Sequence, residues 1–221
     1  MLEVKREGVL LKPENIPPSS KKFKVLGAIN PAATRLPNNN IVLYVRVIER
    51  LINHEDEDNH YSPRLAGEEK YKVVLDKFNK KDTTTSSEMD FSFKDGTKRL
   101  KYMSHLRRVV LDESGFKVKS IDLKPSFYGL AWDGELGIED PRITKIDNLY
   151  VMTYVGLSMS GNISTSLAIS NDCKRWYRRG IIFSHQNKDV VIFPERMNKR
   201  YVALNRPEGT YGYRLKPECE A

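Results

Sequence analysis

The feature that most constrains the fold is a succession of short β-type runs, each closed by turn residues. IVLYVRVIER (41–50), YKVVLDKF (71–78), LRRVVLDESGFKVKSIDL (106–123), ITKIDNLYVMTYVG (143–156), STSLAISND (164–172), GIIFSH (180–185) and NKRYVALNRP (198–207) are rich in Val, Ile, Leu and Tyr. Branched and aromatic side chains of this kind suit a pleated, half-buried surface. Asp95-Gly96, Ser114-Gly115, Asp147-Asn148, Ser160-Gly161 and Asn171-Asp172 sit at the breaks and supply the turn conformations that hairpins need. Helical 3.6-residue periodicity is scarce. The pattern predicts an all-β chain of antiparallel strands.

A weak internal repeat sharpens this reading. DPRITKIDNLYVMTY and FPERMNKRYVALNR share one plan: a proline, a charged residue, a strand, a polar turn, then Tyr-Val and a second strand. Their prolines, Pro141 and Pro194, lie 53 positions apart, and NPAATRLPNNNIVLYVRV, with Pro31, reads as an earlier copy. AISNDCKRWYRRG (168–180) fits the same unit, with a turn and a tryptophan opening the next strand. A period of roughly 50 residues made of several strands is that of a β-propeller blade. The chain reads as a single domain over 1–221, with residues 51–105 inserted in the first blade region. Within that insertion HEDEDNHYSPR offers His54, Glu55, Asp56, Asp58 and His60, but without metal-ligand spacing it reads as a solvated acidic loop, and TTTSSE as a mobile one. No metal site is expected.

Composition excludes several classes. No stretch approaches the roughly 18 consecutive apolar residues of a membrane helix, and residues 1–22 lack the apolar core of a signal peptide. The two cysteines, Cys173 and Cys219, are far apart, which suits a reducing cytoplasm; Asn162-Ile163-Ser164 then carries no glycan. The net charge is +8, yet 37 basic residues are interleaved with 29 acidic ones and no RNA-module motif occurs. The charge reads as a salt-bridged surface and not as a nucleic-acid footprint; a phosphate pocket is compatible with the same count.

One segment concentrates chemistry. GIEDPRIT (137–144) sets Glu139 and Asp140 directly before Pro141 and Arg142 at the mouth of a strand. Pro141 fixes its own φ and pushes its predecessor toward an extended backbone, which would present the Asp140 carboxylate at the strand mouth. The Asp140 pKa is pulled two ways: Glu139 and burial push it up, while Arg142 opposes the shift if it points inward.

GIEDPRIT, NKDVVIFPE (187–195), YVALNRP (201–207) and NPAA…VLYVRV (30–47) occur in an order that resembles glycoside hydrolase family 130, the β-mannoside phosphorylases and their relatives. The likeness is patchy over 25–50 and nearly continuous from about 106 to 209. It implies a five-bladed β-propeller, of which this length holds about three blades, and inverting phosphorolysis of β-mannosides to mannose 1-phosphate. The resemblance makes Asp140 the general acid, its proton relayed through a mannose hydroxyl. It places Arg46, Arg142 and Lys188 on phosphate, and Asn30, Glu139 and Arg206 on the sugar. Inorganic phosphate is then a co-substrate and no cofactor is needed. A small carbohydrate is the other partner, and exposed strand edges would permit a homo-oligomer. Members run well beyond this chain's length, so a C-terminal truncation is expected. Two rivals stand beside this reading: a hydrolase of the same fold using water, and a non-catalytic carbohydrate- or protein-binding remnant.

Overall fold

The computed structural model describes residues 8–159, 163–184 and 186–207. Ser160-Gly161, Asn162 and Cys219 lie outside them. Among the described residues the chain forms β1 (Phe23–Arg35), β2 (Ile41–Leu51), β3 (Asn59–Leu65), β4 (Val73–Asn79), β5 (Thr83–Ser86), β6 (Asp90–Phe93), β7 (Lys98–Leu100), β8 (Tyr102–Leu111), β9 (Val118–Ile121), β10 (Ile138–Ile146), β11 (Leu149–Leu157), β12 (Ile163–Ser170), β13 (Tyr177–Phe183), β14 (Asn187–Ile192) and β15 (Ala203–Pro207). Two 3-10 turns, Pro13–Asn15 and Lys80–Asp82, are the helical elements among these residues. The all-β expectation holds. Among the described residues no helix is long and apolar enough to cross a membrane.

The strands pair antiparallel in two four-stranded sheets, β1-β2-β8-β9 and β10-β11-β12-β13, and a two-stranded sheet, β14-β15. The first strands of these sheets adjoin: β1 packs on β10, and β10 on β14. Side-chain alternation explains why the run 41–50 shows no polar face. Val42 and Tyr44 point into a core with Ile138, Met152 and Tyr154 of the second sheet. Leu43 and Val45 point the other way, against Val109 and Leu111. A strand buried on both faces reads as a continuous apolar run. The same period of two puts Arg46 on the side of Tyr44, toward β10.

Two expectations need correction. The acidic run is an exposed turn over residues 55–58, but its remainder, NHYSPR, belongs to β3, and the insertion folds into the small sheets β3-β4 and β5-β6-β7. Aromatic packing makes this possible: His60 stacks on Phe91 at 4.7 Å, and Phe78 lies 5.5 Å from Phe91 and 5.3 Å from Phe93. The acidic run serves the same fold. Asp56 accepts from the backbone N–H groups of Asp58 and Asn59, and Glu55 holds the buried Lys101 at 3.0 Å. TTTSSE supplies β5. The second correction concerns the repeat. Pro194 falls after β14 ends, so it does not correspond to Pro141; the residue that corresponds to Asp140 is Asp189, as the backbone below makes plain.

Met152 is fully buried between the two large sheets, whereas Leu123 is 72% exposed. Met152→Ala is expected to cost about 2–5 kcal/mol of stability, and Leu123→Ala about 0.5 kcal/mol or less. Denaturant midpoints of the two variants check this.

Candidate active site

The site is built on irregularities in the first strand of each sheet. In β1 the pairing register with β2 slips between Ile29 and Ala32; in β10 it slips between Glu139 and Arg142; in β14 it slips between Lys188 and Val191. At each slip one acidic or amide residue adopts positive φ: Asn30 at 45°, Asp140 at 46° and Asp189 at 54°. Such bulges re-aim side chains, and Asn and Asp tolerate the left-handed region better than other non-glycine residues. The extended backbone expected for Asp140 is therefore not what forms. The bias that Pro141 exerts is overridden by the contacts that hold the Asp140 carboxylate.

Those contacts are short, and those of Arg46 are partly buried. Asn30 Nδ2 donates to Asp140 Oδ1 at 2.8 Å, and Arg46 Nη1 donates to the same oxygen at 3.0 Å. Arg46 Nη2 pairs with Glu139 Oε1, so one guanidinium bridges the two neighbouring carboxylates. Arg46 Nε donates to Ser104 Oγ at 3.3 Å, which fixes the third edge of the fork. Arg46 reaches β10 because β2 places it on the Tyr44 side, opposite Ile29 of β1.

The two carboxylates part company in acidity. Burial pushes Glu139 above the usual carboxylate range, against the pull of Arg46 and Lys188. Burial also pushes Asp140 upward, but the Asn30 hydrogen bond, Arg46 and Arg142 outweigh it and hold Asp140 below its ordinary value. Without a ligand Asp140 is thus an ionised group, and the raised pKa that a general acid needs falls on its neighbour.

Arg142 and Arg206 meet at a residue that the motif reading passed over. Arg142 Nη2 lies 3.5 Å from Asp189 Oδ1, and Arg206 Nη2 lies 3.0 Å from Asp189 Oδ2. Lys188 is the register partner of Arg206 across β14-β15. It lines, with Glu139, a cavity of about 960 Å³ whose far wall is the β6-β7 hairpin and Tyr102. Asn30, Arg46, Glu139 and Asp140 therefore form one bonded cluster, and Arg142 and Arg206 a second one around Asp189. Lys188 stands beside both. Asp189 follows Lys188 in the NKD motif, and the recurring bulge is the signal that finds it. A repeat aligned on prolines hides it, since Val190 stands where Pro31 and Pro141 do.

The profile of the family described as β-1,4-mannooligosaccharide phosphorylase matches residues 102–214. The chain belongs to glycoside hydrolase family 130. A β-1,2-mannobiose phosphorylase of Listeria innocua serovar 6a is 29% identical over 206 residues, covering 91% of this chain and 56% of the relative. A 1,2-β-oligomannan phosphorylase of Thermoanaerobacter sp. is 36% identical over 108 residues, 48% of this chain and 36% of the relative. The solved structure of the Listeria innocua β-1,2-mannobiose phosphorylase, in complex with β-1,2-mannobiose, matches with a TM-score of 0.79 at 27% identity, covering 91% of this chain and 57% of that one. The family-130 chain described here thus spans a little over half the length of that relative.

The shared guanidinium makes a direct forecast. Arg46→Gln is expected to raise the Asp140 pKa by about 1–3 units, as loss of a cation at this distance does. It should also destabilise the fold by about 3–5 kcal/mol, because the buried Glu139 and the half-buried Asp140 lose their counter-charge. Carboxyl ¹³C titration and denaturant unfolding measure the two effects; an unshifted Asp140 would refute the bridging role.

Proposed function

We propose that this chain carries the phosphorolytic site of an inverting β-mannoside phosphorylase that acts on short β-1,2-linked mannosides. The observation that carries the reading is the set of cations, Arg46, Arg142 and Lys188, around the Glu139–Asp140 pair, with Arg206 joined to Arg142 through Asp189. An inverting hydrolase needs a carboxylate base about 6.5–9.5 Å from its acid, with room for water between. Here the two adjacent carboxylates share one guanidinium, and Asp189 is tied to two arginines. A cationic cradle suits an anionic nucleophile instead. The β-1,2 linkage rests on the relatives named above.

In this reading Asn30, Glu139 and Arg206 contact the sugar, and Arg46, Arg142 and Lys188 bind phosphate. A phosphate oxygen attacks the anomeric carbon while the glycosidic C–O bond breaks on the opposite face, which inverts the configuration. Asp140 supplies the proton that the leaving oxygen needs, through a mannose hydroxyl. Its low pKa in the ligand-free site is consistent with this role once phosphate is included. The incoming anion takes up Arg46 and Arg142, the same guanidiniums that keep Asp140 ionised, and adds negative charge beside it. Both effects raise the carboxyl pKa, so the acid gains its proton when the nucleophile is in place. The architecture that fits is a five-bladed propeller, with β1-β2-β8-β9 and β10-β11-β12-β13 as two blades and β14-β15 opening a third. First strands lining a common axis then bring the three bulges together.

The test is phosphate-dependent release of mannose 1-phosphate from β-1,2-mannobiose. Asp140→Asn is expected to lower turnover by ~10²–10⁴ at every phosphate concentration, with melting behaviour nearly unchanged. Lys188→Ala is expected to raise the apparent KM for phosphate and to recover activity as phosphate increases. Full activity in Asp140→Asn, or turnover indifferent to phosphate, would exclude the phosphorylase reading.

A further inference from the structure

Asp189 is placed with unusual care for a residue on a short strand. Its bulge lies between backbone carbonyls that three threonines of the neighbouring sheet hold. Thr165 Oγ1 donates to Asn187 O at 3.1 Å, Thr153 Oγ1 to Val190 O at 2.6 Å, and Thr144 Oγ1 to Ile192 O at 2.9 Å. These bonds brace β14 against β10, β11 and β12 on both sides of the positive-φ residue. From that braced position one carboxylate reaches Arg142 on β10 and Arg206 on β15. Two guanidiniums so close together would otherwise repel and splay. A guanidinium carries five N–H donors in a rigid fork, and Asp189 engages the Nη2 end of each.

We propose that Asp189 is a positioning residue of the phosphate site: its carboxylate, tied on its other oxygen to Arg206 of the sugar side, holds the Arg142 fork toward the anion beside Lys188. This rests on the reading of Arg142 and Lys188 as phosphate ligands. The role has an unusual signature in sign. Removing a negative charge next to an anion site should, by charge alone, tighten anion binding. If Asp189 acts by holding the arginines, its removal loosens binding although the site becomes more positive.

Asp189→Asn separates the two. Asparagine suits the backbone, since Asn30 occupies the same conformation in β1, but it offers a carboxamide where two cations need a carboxylate. Titration of the full chain with inorganic phosphate, followed by calorimetry, is expected to give a Kd about tenfold or more weaker than the unsubstituted chain, as for loss of a hydrogen bond between charged groups. Side-chain ¹⁵N spectra should show both Arg142 and Arg206 shifting in the variant. Asp189→Glu, which restores the charge, should recover part of the affinity and guards against a folding defect in the asparagine variant. Phosphate binding unchanged or tighter in Asp189→Asn, or arginine signals that do not move, overturns the proposal. An unsubstituted chain that binds no phosphate instead overturns the phosphorylase reading, and with it the proposal.

Discussion

The Arg46 guanidinium, shared between Glu139 and Asp140, is the interaction on which the site depends. Two adjacent carboxylates could not stay buried in ionised form without a counter-charge. The cation comes from the neighbouring sheet, so the pair can form only if β2 and β10 stand face to face. The core made by Val42, Tyr44, Ile138 and Met152 sets that approach. Packing and electrostatics are thus coupled: the apolar residues of β2 and Arg46 use one face of one strand. Asn30 adds a neutral hydrogen bond to the same Asp140 oxygen, which keeps the carboxylate aimed without neutralising it.

The second constraint is the bulge repeated in β1, β10 and β14. A regular strand would send Asn30, Asp140 and Asp189 to alternating faces, set only by their position along the pleat. The slip in register frees each from that alternation and presents it at the strand entrance. The two carboxylates then take opposite tasks from their partners. Asp140 receives one arginine and an amide; Asp189 receives two arginines. One position in a repeated plan has thereby become a candidate proton donor in one sheet and a cation clamp in another.

Much of this was legible in the sequence, for stated reasons. Strand content followed from β-branched runs and turn pairs, while the burial of run 41–50 on both faces emerged only from the packing of the two sheets. The residues that gather at the site carried motif signals of their own. What stayed hidden is tertiary. The left-handed backbone of Asp140 defies the local rule for a residue before proline, because Asn30 and Arg46 lie 110 and 94 positions away. The acidic run and TTTSSE within residues 51–105 read as loops since their polar composition conceals the stacking of His60, Phe78, Phe91 and Phe93. Buried charge was invisible too: Glu49 and Arg107 are fully buried 3.7 Å apart, with His105 beside them, although each looks like a surface residue in its strand.

The chemistry of this site depends on where an anion binds. A crystal structure of the full chain soaked with inorganic phosphate tests this most directly. It should show phosphate within hydrogen-bonding distance of Arg142 and Lys188, on the side of Asp140 that Arg46 faces, with Asp189 still bridging the two arginines. An empty site at saturating phosphate, or an anion bound away from these residues, would contradict it.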